Sequence, residues 1–158
     1  METQLVVCAV DGAAWAFPIG AVREIIRAVP AQPVGSLDRT ALGIIDLRGV
    51  AMPVHDLAAT LGLCEPWQRG EDVLLDAQQL ASRRIVVTAA DDGAQLVGWL
   101  VDGVDEVIEI AEGAVDAVVG GGSPFVVAIA HVDGNRLVPV LAVDRLLGAP
   151  GSAEAQAA

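Results

Sequence analysis

Lysine is absent from this sequence, and basic side chains are few. Nine arginines face 21 acidic residues over 158 positions, for a formal net charge of -12. A field of that sign repels nucleic-acid phosphates and anionic lipid headgroups. The missing lysine also excludes Schiff-base chemistry and the lysine of a phosphate-binding loop. We therefore expect no nucleic acid among the partners of this chain.

Cysteine is scarce, and long apolar runs are missing. Cys8 and Cys64 are too few and too far apart to form a disulfide framework, which indicates a reducing compartment. The apolar run at 5–10 follows Glu2, where a signal peptide carries positive charge. The run PFVVAIAHV at 124–132 is less than half of the roughly 18 to 20 residues that cross a bilayer. These features predict a cytoplasmic protein with no direct membrane insertion.

Short strands separated by turn residues are what the sequence does contain. Hydrophobic residues make up 54% of the chain, and valine and isoleucine are concentrated in runs such as LVVCAV, RIVVTAA and RLVPVLAV. Asp-Gly pairs at 11–12, 92–93 and 133–134, with Arg-Gly at 48–49, predict hairpin turns between them. The pattern predicts an all-β protein.

The two halves of the sequence resemble each other. VREII at 22–26 recurs as VDEVI at 104–108, and each lies ten or eleven positions after an Asp-Gly turn. This repeat predicts two small β-barrel lobes that share a core. We place lobe one at about 1–63 and lobe two at about 83–148, in a single domain over 1–148.

Shorter signals mark helical turns and the less regular segments. Asp56 and Asp144 are candidate helix N-caps, with Gly62 and Gly148 as the matching C-terminal stops. The polar connection at 64–82 contains a possible helix at 73–80, the glycine run at 118–124 predicts a flexible loop, and the tail at 149–158 reads as disordered.

No constellation of catalytic residues is visible. His55 and His131 lack metal-ligand spacing, and no serine lies in a nucleophile elbow. Asp46 and Asp56 could form a carboxylate pair, but a turn-adjacent carboxylate and a helix cap explain them better. We expect no enzyme, no cofactor and no metal. A metal-dependent enzyme that uses His55 and Asp56 stays open as an alternative.

Four segments, in this order and spacing, resemble the CheW-like family of chemotaxis adaptors. They are VREII at 22–26, GIIDLRGVAMPVHDLAATLGL at 43–63, VGWLVDGVDEVIEI at 97–110 and RLVPVLAVDRLL at 136–147. The resemblance implies two packed, SH3-like, five-stranded barrels with short helical turns and no catalytic activity. It also implies two partners, the regulatory domain of a CheA-type histidine kinase and the cytoplasmic tip of a chemoreceptor, at membrane-associated receptor arrays.

The resemblance assigns the protein-binding residues as Val22, Glu24, Asp46, Arg48 and Gly49. An arginine at a hairpin tip can form bidentate hydrogen bonds with Glu24, either as part of the coupling surface or as an exposed structural pair. Asp46 stands where the family usually has asparagine, which replaces a donor-capable amide by a carboxylate.

Two departures from the family concern the rest of the chain. Pro124 and Phe125 are only loose counterparts of the residues that form the family's ring contact with the kinase, and the acidic connection at 64–82 points to a dedicated kinase. A small-ligand-binding module with an apolar inter-lobe trough remains the alternative function.

Overall fold

The computed structural model describes residues 2–33, 40–64, 77–90, 95–117, 124–133 and 136–147. Most of them lie in eleven strands, β1 Glu2–Val10, β2 Ala13–Pro18, β3 Val22–Arg27, β4 Ala41–Leu47, β5 Val50–Asp56, β6 Arg84–Ala90, β7 Gln95–Val101, β8 Gly103–Ala111, β9 Val115–Ala117, β10 Val126–Val132 and β11 Arg136–Leu141. The described helices are short: α1 Leu57–Thr60, α2 Ala77–Leu80, α3 Val143–Leu147 and two 3-10 turns, Ile19–Ala21 and Glu112–Ala114. The predicted all-β class is confirmed.

The strands form two sheets. The five-stranded sheet has the order β3-β6-β7-β5-β4, and we call it, with its described connections, the first barrel. The six-stranded sheet has the order β8-β1-β2-β11-β10-β9 and is the second barrel. Its sixth strand is the three-residue β9, which follows β8 after a 3-10 turn. The second sheet therefore exceeds the predicted five strands by one.

The division between the sheets does not follow the predicted division along the chain. The hairpin β1–β2 opens the chain but lies in the second barrel, and β6–β7 lies in the first. A parallel pairing connects each exchanged hairpin to its sheet, β2 with β11 and β7 with β5. The physical reason is burial of both faces of β1: Leu5 packs inside the second barrel, and its neighbour Val6 packs between the barrels.

The hairpin turns adopt the predicted backbone conformation where they are described. Asp11 and Gly12 have φ values of 52° and 81°, and Asp133 has 54°. These left-handed values at both central residues match the tight turn that the right-handed twist of a hairpin favours. The turn at 92–93 lies outside the described residues, but β6 and β7 pair in antiparallel register.

A short bridge closes the first barrel. Gln32 lies beyond β3 and exchanges two backbone hydrogen bonds of 2.9 Å each with Ile44 of β4, the opposite edge strand. Gly43 makes this approach possible, since a Cβ there would lie 2.3 Å from the Gln32 carbonyl oxygen. Its φ of 147° is a second reason for glycine at this position.

Three apolar clusters hold the fold together. One fills the first barrel around Met52 and Leu100, and one fills the second barrel around Leu5 and Val138. The third, which we call the inter-barrel cluster, joins both sheets and includes Trp99, Phe17, Leu57 and Leu146 among other side chains. The two lobes therefore share a core, as the sequence predicts.

The side chain of Asp102 contacts residues of both barrels at the point where the chain passes from one barrel to the other. Asp102 connects β7 to β8, and its side chain accepts a hydrogen bond of 2.8 Å from the Asp11 amide of the second barrel. It also forms an ion pair of 2.8 Å with Arg83, which precedes β6 in the first barrel.

The helix signals are confirmed at α1 and differ at α3. Asp56 is the N-cap of α1, and its carboxylate accepts from the Ala58 amide. Gly62 ends this helix with φ of 79°. Asp144 is not an N-cap, because α3 begins one residue earlier at Val143 and places Asp144 in its first turn.

Several sequence predictions fall partly or wholly outside the described residues. They concern the stop at Gly148, the loop at 118–123, most of the connection at 64–82 and the tail at 149–158. Of the possible helix at 73–80, the structure describes Ala77–Leu80 as α2. Within the described part of the chain, no helix has both the length and the apolar character to span a membrane.

Candidate functional site

Glu24 and Arg48 form a two-pronged ion pair at one end of the first barrel. Glu24 lies on edge strand β3, and Arg48 lies in the turn between β4 and β5. Arg48 Nη1 donates to Glu24 Oε1 at 3.1 Å, and Nη2 donates to Oε2. The predicted bidentate geometry is confirmed. Because β3 and β4 are opposite edges of the sheet, the pair bridges the two edges of the first barrel.

The turn that carries Arg48 is held by its own residues. Arg48 and Gly49 have φ values of 50° and 88°, so both occupy the left-handed region. Asp46 Oδ1 accepts a hydrogen bond of 2.7 Å from the Gly49 amide, which fixes the turn from its first strand. Asp46 therefore acts on the backbone of the hairpin rather than on the guanidinium.

The ion pair perturbs both of its members. Hydrogen bonding to Arg48 lowers the pKa of Glu24, and the same contact raises the pKa of Arg48. The arginine side chain is 68% exposed and the glutamate 32%. Both charges are thus present at neutral pH on a surface that a partner protein can reach.

Val22 lies at the start of β3, two residues before Glu24, and contacts the core. It is half-buried and packs against the inter-barrel cluster. A register shift between Val22 and Glu24 leaves Arg23 unpaired in the ladder between β3 and β6. Next to the turn, Val50 is 48% exposed, and space around Gly49 is open. We use the name first-barrel end for the five residues Val22, Glu24, Asp46, Arg48 and Gly49.

The polar residues considered for catalysis have structural partners. The Oγ1 of Thr40 lies 2.9 Å from Nδ1 of His55, whose ring packs on Trp99 with a centroid distance of 5.2 Å. His131 Nε2 lies 2.6 Å from Asp116 Oδ2 on the second barrel. Asp46 and Asp56 are a turn carboxylate and a helix cap, as predicted. In the ranges that the structure describes, no three potential ligands gather as a metal site.

Burial makes the thiol of Cys8 unreactive. Its side chain is fully buried in the inter-barrel cluster. Desolvation, together with the nearby Asp105 carboxylate, raises the pKa of the thiol to about 12. The group is protonated at physiological pH and behaves as a small apolar side chain.

A second ion pair, which was not predicted from the sequence, lies on the second barrel. Arg136 Nη2 donates to Glu106 Oε1 at 3.0 Å. Glu106 pairs with buried Val7 next to a register shift in β8, just as Glu24 pairs with buried Val87 next to the shift in β3. The recurrence of VREII as VDEVI already aligns the two glutamates, so this repeat was the available signal.

Comparison with known proteins supports the fold and identifies the family. The family model described as "CheW-like domain" matches residues 4–150. "Chemotaxis protein CheW" from Rhizobium meliloti (strain 1021) is 32% identical over 96 residues, and "Probable chemotaxis protein CheW" from Rhizobium etli is 31% identical over the same length. Each match covers 60% of this chain and 52% of the relative, so the matched part of this chain spans about half the length of each of these relatives.

A solved structure extends the likeness over nearly the whole chain. The crystal structure of the scaffolding protein TtCheW from Thermoanaerobacter tengcongensis superposes with a TM-score of 0.76 and 24% identity. The match covers 93% of this chain and 88% of TtCheW. Two sheets that share an apolar core, a repeated glutamate-arginine pair and a family match over residues 4–150 lead to one conclusion: the chain belongs to the CheW-like family.

Proposed function

We propose that this chain is a non-catalytic coupling adaptor in chemotaxis-like signal transduction. It binds the regulatory domain of a CheA-type histidine kinase through the first-barrel end and the cytoplasmic tip of a chemoreceptor through the groove between the barrels. It works in the cytoplasm at receptor arrays. Membership of a family whose named relatives are chemotaxis proteins, one of them called a scaffolding protein, supports this role.

The observation that carries the proposal is the Glu24–Arg48 pair. A fixed, exposed, bidentate pair gives a partner two charges in a defined geometry, and planar guanidinium recognition depends on such geometry. The turn is held by Asp46 and bordered by the exposed side chain of Val50, so apolar contact area lies beside the charges. That combination is typical of a protein-binding surface.

Coupling follows from simultaneous binding at two surfaces. The receptor binds the groove more tightly in one of its conformations than in another. Because the kinase regulatory domain is bound to the same adaptor, a change of receptor conformation also changes the arrangement of the whole complex. The shared inter-barrel cluster and the Asp102 contacts with Arg83 and Asp11 connect the two barrels and support this proposal. No catalytic step is needed.

Arg48→Ala, with Arg136→Ala as the matched control, tests the proposal. Both changes remove an arginine that forms an ion pair with a glutamate, one on each barrel. Co-sedimentation with the kinase regulatory domain and a receptor cytoplasmic fragment should fall for Arg48→Ala and persist for Arg136→Ala, with both variants folded. Absence of both partners from the wild-type pellet would contradict the proposed function.

The charge swap Glu24→Arg with Arg48→Glu separates recognition from structure. The swapped pair can still form an ion pair between the two edges of the first barrel, but each charge now stands in the other's place. Loss of kinase binding in the swapped variant indicates that the partner recognises each charge at its original position. Full binding in the swap, with a lower melting temperature for Arg48→Ala alone, would assign the pair a structural role instead.

A further inference from the structure

Charge is divided unequally between the barrels. Among the described residues of the first barrel, five arginines outnumber three acidic side chains; they are Arg23, Arg27, Arg48, Arg83 and Arg84, against Glu24, Asp46 and Asp56. The second barrel has two arginines against ten acidic residues; they are Arg136 and Arg145, against Glu2, Asp11, Asp102, Asp105, Glu106, Glu109, Glu112, Asp116, Asp133 and Asp144. Over the whole of residues 19–101 the sequence has seven arginines and ten acidic residues, so the excess of arginine belongs only to the part of the first barrel that the structure describes.

Of the arginines that the structure describes, the two on β3 have no ion-pair or hydrogen-bond partner. Arg48, Arg83 and Arg136 each form an ion pair, but exposed Arg23 and Arg27 form neither a hydrogen bond nor an ion pair within the described part of the chain. Acidic residues outnumber arginines by more than two to one in this chain, so carboxylates are not in short supply. On β3, Arg23 directly precedes Glu24, and Arg27 lies three residues after Glu24 at the last position of the strand.

A like-charge pair adds to this surface. Arg27 lies directly opposite Arg84 of β6 in the antiparallel register. Arg84 Nη1 donates to the carbonyl oxygens of Ala81 and Arg83, which are neutral and leave its charge uncompensated. Like charges directly opposite each other on neighbouring strands are unfavourable unless an anion lies between them.

We propose that Arg23, Arg27 and Arg84, which we call the β3 basic patch, bind a carboxylate-rich segment of the protein that docks on the first-barrel end. This inference rests on the proposed function and names the chemistry of the partner. Guanidinium groups bind carboxylates with two parallel hydrogen bonds, and neither Arg23 nor Arg27 donates a hydrogen bond to any residue that the structure describes.

The size of the patch favours a short acidic segment. Arg23 and Arg27 are four residues apart on one strand, about 13 Å at the usual rise of about 3.3 Å per residue. A few carboxylates fit within that length. A nucleic acid carries one charge per about 1.7 Å of duplex and would continue across the acidic second barrel. A second copy of this chain would bring its own net charge of -12, which opposes association.

The first test uses a decaglutamate peptide and does not depend on the kinase. Titrated into the isotope-labelled full chain at low ionic strength, the peptide should shift backbone amide resonances of β3 and of Arg84. These shifts should disappear in Arg23→Gln with Arg27→Gln and persist in the matched control Arg145→Gln, an exposed arginine of the second barrel. Absence of shifts at β3, or the same shifts in the double variant, would overturn the inference.

The second test measures association with the kinase regulatory domain at several salt concentrations. Loss of two steering charges should lower the association rate of Arg23→Gln with Arg27→Gln about tenfold at low salt and flatten its salt dependence, while Arg145→Gln stays unchanged. If the wild-type protein binds the kinase domain and the double variant associates at the same rate, the inference is overturned, while the proposed function is unaffected. Absence of wild-type binding contradicts the proposed function, whereas the peptide result stands by itself. Self-association that depends on Arg23 and Arg27 would assign the patch to a second copy and overturn the inference.

Discussion

Gly43→Ala should break the backbone bridge between Gln32 and Ile44 that closes the first barrel. Gly43 lies where the segment after β3 meets β4, and its φ of 147° is a conformation that L-residues rarely adopt. An added Cβ would lie 2.3 Å from the carbonyl oxygen of Gln32 and 2.7 Å from its carbonyl carbon. Both are backbone atoms, so no side-chain rotation relieves the clash. The chain must separate at the Gln32–Ile44 bridge.

The expected loss follows from the contacts in that bridge. Two backbone hydrogen bonds of 2.9 Å join Gln32 to Ile44, and each contributes about 1 kcal/mol net. Backbone strain at the substituted residue costs a further 1 to 3 kcal/mol, roughly. We therefore expect the free energy of unfolding to fall by about 3 to 5 kcal/mol, a large share of the roughly 5 to 15 kcal/mol typical of a domain.

Urea unfolding followed by intrinsic tryptophan fluorescence, to which buried Trp99 contributes, measures this loss. Gly20→Ala is the matched control, because no atom lies within 4 Å of the position of its added Cβ. Amide hydrogen exchange at Ile44 should accelerate in Gly43→Ala and stay slow in the control. A loss below about 1 kcal/mol, or unchanged exchange at Ile44, would refute the assignment of this bridge as the closure of the first barrel.

Two further predictions concern titration and reactivity. Because Arg48 lowers the folded-state pKa of Glu24, the stabilisation from this pair is present above the usual glutamate pKa and is lost as pH falls through the lowered value. Carboxyl NMR should place the titration midpoint of Glu24 below the ordinary glutamate pKa, and Arg48→Gln should raise the midpoint again; equal midpoints in the two proteins would contradict the pairing. Cys8, fully buried with its pKa raised to about 12, should not react with a thiol reagent in the folded Cys64→Ser variant and should react once urea unfolds it. Modification of the folded variant would show that the thiol is accessible.

Local patterns were enough to predict many individual features. Positive φ at Asp11 and Arg48 follows from the Asp-Gly and Arg-Gly pairs, because tight hairpins need left-handed residues. The cap at Asp56 follows from a carboxylate placed before a short apolar helix. The Glu24–Arg48 contact was predicted from the family resemblance, since the two residues are 24 positions apart. The equivalent pair at Glu106 and Arg136 was within reach of the repeat but was not read from it.

The sequence by itself determined the all-β class, the positions of the turns and the internal repeat, because each depends on residues close together in the chain. The tertiary structure alone decided which hairpin joins which sheet. Alternating apolar residues indicate that a strand is buried, but they do not indicate which strand packs on it. The exchange of the hairpins β1–β2 and β6–β7 between the sheets therefore could not be predicted from local sequence. The bridge at Gly43 is likewise a consequence of long-range packing, because it depends on which backbone the fold brings next to Gly43. The same holds for the arginines of β3, which have no partner among the described residues.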